Sequence, residues 1–207
     1  MYPGKCNILF DGWTDFLVKI EPLMKNNIKD SYSKQLLQLL SENDVDLDSK
    51  NVLILVLLNA LLVPTSKSHQ IDKITGRRRL AKTSIVDAQK SFLLHSHNIN
   101  DLYNQIQKEI DNCYSLKKTL QPIVCIVGND YVSIKEFYVY YFNTYYKFTN
   151  IVKAIDTCFK IIHVFNLKYQ LQCELVWTFI QKYIYKIDLN TDIKNAPLMS
   201  LISDMRD

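Results

Sequence analysis

Three of the chain's four arginines stand side by side, at Arg77, Arg78 and Arg79, with Lys67, Lys73 and Lys82 around them. Planar guanidinium forks match phosphate oxygens two at a time, so this cluster is suited to grip a nucleic acid backbone or a phosphorylated partner. Within residues 64–83 these six cations meet one acid, Asp72, while the whole chain carries a net charge of only +4. The rest of the chain is therefore slightly acidic. No signature of a known nucleic-acid-binding module accompanies the cluster, and a solvated surface loop is the plainer explanation of it.

A second group lies between Lys135 and Lys147, where Tyr138, Tyr140, Tyr141, Tyr145 and Tyr146 crowd together. Aromatic rings interleaved with lysine on a sheet can stack bases or contact a protein partner. Strand alternation sends about half of such rings into a core. The expected outcome is packing plus a partly exposed contact surface made by Tyr138, Tyr140, Tyr145 and Lys147.

Classical catalytic chemistry finds little purchase. The four glycines, Gly4, Gly12, Gly76 and Gly128, are scattered, which excludes a glycine-rich phosphate loop. His95 and His97 would share a face on a strand. On a helix they diverge by roughly 200°, and this stretch reads as helical, so no metal site is predicted. His163, late in an apolar helix, reads as a boundary residue. Cys125, ahead of Gly128-Asn129-Asp130 at the end of a strand, is the one place where a nucleophile merits inspection. Cys6, Cys113, Cys125, Cys158 and Cys173 form no CxxC pair and fall in or beside apolar stretches. They read as reduced, buried thiols of an intracellular protein, in cytosol or nucleus. No enzyme activity, cofactor or metal is expected.

The elements that must position these residues are mostly helical at first. Apolar residues recur at three and four places in Asp11–Asn27 and again in Tyr32–Leu40. Ser41–Asp48 reads as an acidic loop, with Asp48 capping a helix over the apolar run Val52–Val63 that Pro64 stops. That run is shorter than the roughly 20 residues of a membrane span, so a soluble domain without membrane contact is expected. Residues 64–83 read as an exposed, mobile loop. Ser84 and Asp87 form a capping-box start for a helix running to His97, and another restarts at Asn98–Asp101.

From Leu120 the pattern changes. Ile123–Val127 reads as a buried strand, and Phe137–Phe142 with Tyr145–Phe148 as a hairpin turning at Asn143-Thr144. Thr149 or Asn150 caps a helix from Ile151 to Phe165, and a last long helix spans Gln172–Lys186. Residues 188–207 form an acidic tail in which Leu198–Met205 adds at most a turn of helix. The prediction is a single α+β domain over residues 1–187. Its N-terminal half is mainly helical, and a small sheet of one strand plus a β-hairpin follows, packed on one face by two C-terminal helices.

Several segments carry a resemblance: Gln121-Pro122-Ile123-Val124-Cys125-Ile126-Val127-Gly128, Tyr146-Lys147-Phe148, Lys153 through Lys160, and Trp177 through Ile187. They resemble the C-terminal region of animal proteins labelled sterile alpha motif domain-containing protein 3-like, many from arthropods, cnidarians and fish. The resemblance reaches back through the Leu-rich helix and the basic loop. The sterile alpha motif itself is not found here, which implies a fragment or a shortened relative of a longer protein. The resemblance brings no activity or cofactor and tilts the reading towards interaction by analogy. The expected function is a non-enzymatic protein–protein interaction module. The alternative is a nucleic-acid-binding domain using the basic loop.

Overall fold

The structure, a computed structural model, describes residues 7–42, 44–71 and 76–206, with residues 68–71 and 78–79 followed through their main chain. A short helix α1 (Ile8–Asp11) leads into α2 (Trp13–Asn27), whose Phe16, Ile20 and Met24 are buried at the predicted spacing. Asp30 caps α3 (Ser31–Leu39) by accepting from Ser33 N at 2.8 Å. The next cap is Asp46 rather than Asp48, two residues earlier than expected, and it starts α4 (Leu47–Leu61). Every residue of α4 from Val52 to Ala60 is buried. A helix apolar on all sides has no solvent face to offer, so the other elements surround it.

Residues 64–83 differ from the loop expected there. They contain two antiparallel strands, β1 (Lys67–Ile71) and β2 (Arg78–Lys82), forming a separate two-stranded ribbon. Ser84 and Asp87 then make the predicted capping box for α5 (Ile85–Phe92). That helix stops five residues short of His97, because the chain turns into a strand, β3 (Leu93–Ser96). Asn98 caps α6 (Ile99–Ser115). The sheet proper continues with β4 (Ile123–Gly128), β5 (Ile134–Tyr141) and β6 (Thr144–Phe148).

The larger sheet thus has four strands in the order β3-β4-β5-β6, with β3 parallel to β4 and the other pairs antiparallel. Helix α6 is the crossover that a parallel pair requires. Both faces are covered, where a single covered face was expected. Val124, Ile126, Phe137 and Val139 join the large core containing α4 and α7 (Ile151–Val164). Ile123, Cys125, Tyr138 and Tyr140 face the other way, onto Leu102 and Ile106 of α6.

The last long helix is α8 (Glu174–Phe179) continued by a π-helical segment, Ile180–Ile184, with Tyr185 N donating to Ile180 O. Within residues 188–207, read as a tail, α9 (Ala196–Asp204) packs against α8 and buries Leu198, Leu201 and Ile202. Lys19 Nζ and the Tyr183 hydroxyl both donate to the Met205 carbonyl, at 3.1 and 3.2 Å, tying this end to the body. Among the described residues no helix is long and apolar enough to cross a membrane.

Candidate functional site

Strands β5 and β6 are joined by Phe142 and Asn143, with φ of +46° and +59°. Both central residues of a type I′ turn need positive φ, and its backbone twist matches the right-handed twist of the flanking strands. Asparagine tolerates this conformation; a bulky aromatic residue rarely adopts it. Phe142 is nevertheless there, and it is 87% exposed. The turn lies one residue earlier than the Asn143-Thr144 read from sequence.

The end of α7 brings a second ring alongside. Asn166, at φ +50°, reverses the chain, and Leu167 N donates back to Ile162 O at 2.8 Å while Asn166 N donates to His163 O at 3.3 Å. This pairing of the last carbonyls is a Schellman cap with asparagine in the glycine position. It leaves Val164 and Phe165 facing solvent, 62% and 58% exposed. The Tyr141 ring lies 5.5 Å from Phe165 and 6.3 Å from Phe142 between centroids. The half-buried Tyr141 ring therefore links two exposed rings, Phe142 and Phe165, into one aromatic patch at the tip of the sheet, and exposed Val164 precedes Phe165 in the chain. Sequence reading passed over Phe142, Val164 and Phe165, because each follows an apolar run that looks like core.

The tyrosines that were expected to form a contact surface are placed differently. Tyr138 and Tyr140 are 8% and 5% exposed, packed under α6, and so are not surface residues. Tyr145 is half-buried between Tyr103 and Tyr140, each ring centroid 4.9 Å away. Lys147 is exposed and its Nζ lies 2.6 Å from Glu136, whose carboxylate also accepts from the Tyr138 hydroxyl. The hydrogen bond from Lys147 holds the Glu136 carboxyl below its usual range.

The basic residues are brought together along the ribbon. Lys67 and Lys82 are direct partners across β1 and β2, and both are exposed. Arg78 and Arg79 lie in β2 opposite Ile71 and Gln70. Arg77 precedes the strand and is exposed; Lys73 lies outside the described residues. The base of the ribbon is closed by Thr83 N donating to Ser66 O at 3.0 Å and by a 3.0 Å contact between the two side-chain hydroxyls.

The histidine pair sits at the C-terminal end of β3 and beyond it, not on a helix. Carbonyls only accept, so His95 Nε2–H donates to Gly128 O and His97 Nδ1–H to Asn129 O, each at 2.9 Å. The rings fasten β3 to the loop after β4. Gly128 is required there, since a Cβ would lie 2.4 Å from Ser133 O. Burial lowers the pKa of His95, only partly offset by its bond to the Gly128 carbonyl. Among the described residues no group of three or more His, Cys, Asp or Glu is placed to hold a metal ion. Cys125 is fully buried and burial pushes its thiol far above the ordinary value, the opposite of what a nucleophile needs.

An open groove of about 2390 Å³ runs between α6, the end of α7 and the chain around 166–172. One chain of its polar side chains is linked by hydrogen bonds, while Gln121 Oε1 and Gln170 Nε2, which also line it, are buried without a partner among the described residues. His163 Nε2 lies 2.8 Å from the Tyr169 hydroxyl, which donates to Gln181 Oε1 at 2.8 Å. Gln181 Nε2 donates in turn to Asp192 at 2.9 Å, and Asp192 pairs with Lys182 at 2.6 Å. With the hydroxyl proton given to Gln181, the imidazole is the donor to Tyr169, which fixes its tautomer. No family model, curated protein or solved structure matches the chain.

Proposed function

We propose that this domain is a non-enzymatic protein-interaction module whose contact surface is the aromatic patch of Tyr141, Phe142, Val164 and Phe165. One observation carries the reading: Phe142 occupies a left-handed turn position that disfavours it and gains almost no burial there. A residue that costs the fold energy at an exposed tip has its use outside the fold. Exposed aromatic anchors beside a rigid sheet are the side chains that dominate binding at protein interfaces. The groove offers no comparable support for catalysis, because His163, its best-placed acid–base group, is engaged with the Tyr169 hydroxyl.

The test places a photo-crosslinking phenylalanine analogue at position 142 of the full chain, with Tyr114, 83% exposed on α6, as the control position. In an extract of the source cells, position 142 should give a discrete protein adduct that position 114 does not. Phe165→Asp in the same chain should remove it. Identical adducts at both positions, or none at 142, would defeat this reading.

A further inference from the structure

Of the two edges of the larger sheet, β3 is protected and β6 is open. Strand β3 has four residues, of which Leu93, Leu94 and Ser96 are buried. Strand β6 has five, and its Thr144, Tyr146 and Lys147 are exposed. Edge strands are commonly guarded by a proline, a bulge or a free charge, because their unpaired backbone groups are a template for another strand. β6 contains no proline, and its pairing with β5 runs without a register shift. Its one charge is turned back onto β5, where Lys147 Nζ lies 2.6 Å from Glu136 and 5.6 Å from the centre of the Tyr138 ring.

The hairpin turn fixes which backbone groups this edge offers. Tyr141↔Thr144 closes a two-residue turn and is a hydrogen-bonded pair, so alternation makes Val139↔Tyr146 and Phe137↔Phe148 hydrogen-bonded as well. Tyr145 and Lys147 therefore aim their N–H and C=O groups away from β5. Among the described residues no group pairs with them. Two outward residues placed symmetrically about Tyr146 are complementary to a second copy of themselves. A two-fold axis at Tyr146 sets each Tyr145 against the partner's Lys147, and each such pair exchanges both of its N–H···O bonds. An axis at Lys147 would set two lysines face to face. An axis at Tyr145 would bring Lys147 opposite the partner's Asn143, which is in the turn and cannot extend a ladder. Charge and strand length thus select one register. We propose that β6 pairs antiparallel with β6 of a second copy of this chain, about a two-fold axis at Tyr146, so that two sheets become one.

The experiment is sedimentation of the purified full chain across a dilution series, with circular dichroism to check the fold of each variant. The parent should show a monomer–dimer equilibrium. Tyr146→Glu replaces a facing aromatic pair by like charges and should weaken the dimer by about tenfold. Lys147→Pro removes an outward N–H while sparing the bonds to β5, which an edge strand tolerates, and should abolish the dimer; Lys147→Ser keeps that N–H and should retain it. Residues facing each other across a non-hydrogen-bonded pair have Cα atoms about 4.5 Å apart, within reach of a disulfide. Under oxidation Tyr146→Cys should therefore give a linked dimer that a reductant reverses, while Lys147→Cys, opposite the partner's Tyr145, should give no more than the parent. A parent that stays monomeric at every concentration, or a dimer that Tyr146→Glu leaves unchanged, overturns the proposal. Equal crosslinking at 146 and 147 overturns the register. Only the purified chain is present, so these outcomes are independent of the partner sought at Phe142.

Discussion

The Tyr185 hydroxyl donates a 2.6 Å hydrogen bond to one carboxylate oxygen of Asp156, and Lys160 Nζ lies 2.6 Å from the other. Asp156 is buried on the inner side of α7, and Tyr185 follows directly on the π-helical segment. The Phe159 ring stacks on Tyr185 at 3.9 Å between centroids, which fixes the phenol in place. A buried carboxylate is tolerable only when its oxygens are satisfied, and here a residue 29 positions away supplies half of that satisfaction. The same bond, together with burial, pushes the Tyr185 phenol well above its usual pKa.

Tyr185→Phe should therefore destabilise the domain by about 2 kcal/mol, the range for a buried hydrogen bond to a charged group left without its donor. Urea denaturation followed by circular dichroism measures it. A midpoint unchanged from the parent would mean that the carboxylate finds water or another donor instead.

Phe142→Asn should do the reverse. Asparagine is among the residues that accept positive φ in a type I′ turn, and relief of the left-handed cost is worth about 1 kcal/mol. The urea midpoint should rise while the crosslinked adduct is lost. A fall in stability would show that the ring contributes to the fold and would remove the argument that it is kept for a partner.

Burial holds both His95 and His163 below the ordinary histidine value, against an opposing pull on His163 from Asp192. Their neutral forms are favoured in the folded state, so the unfolded chain binds more protons as pH falls through about 6.5. This contribution to stability is complete above that pH and is lost on acidification towards the folded-state values. Asp130, Glu136 and Asp192, held low, lose theirs only in more acid solution. Asp48 and Glu174, held high by burial, act in the opposite direction there. The urea midpoint should drop between about pH 7.5 and about pH 5.5, and His95→Gln/His163→Gln should flatten that drop. An equal drop in the double variant would assign it to other groups.

Deletion of residues 196–207 should unfold the domain rather than trim a tail. Leu198, Leu201, Ile202 and Met205 are buried against the body, and each is worth about 1.5–3 kcal/mol. The sum is comparable to the whole stability of a small domain. The expected result is an aggregating chain without a cooperative thermal transition. A truncated chain that melts like the parent would restore the reading of this segment as a tail.

Much of this was legible because it is local. Ser84, Asn98 and Asn150 each cap a helix by accepting from a backbone N–H three residues on, a contact that needs no knowledge of the rest of the fold. The sequence of α4, apolar on every side, determined that it would be central. The continuous apolar, β-branched run Ile123–Val127 determined a fully buried interior strand of the sheet. What local rules do not reach is pairing and coverage. Leu93–Ser96 reads as helix until Val124–Val127, some thirty residues away, offers a parallel partner. Tyr138 and Tyr140 alternate as surface residues do, and only α6 lying over that face buries them. The basic segment becomes a ribbon because its two halves pair with each other, and α9 is a core helix because α8 offers it an apolar face. Phe142 is the clearest case. Its chemistry is in the sequence, but its strained turn position and its exposure next to Tyr141, which in turn meets Phe165, arise only when β5, β6 and α7 come together. Hydrogen bonding within four residues is written along the chain; burial and strand register depend on distant partners, and those are chosen by the fold as a whole.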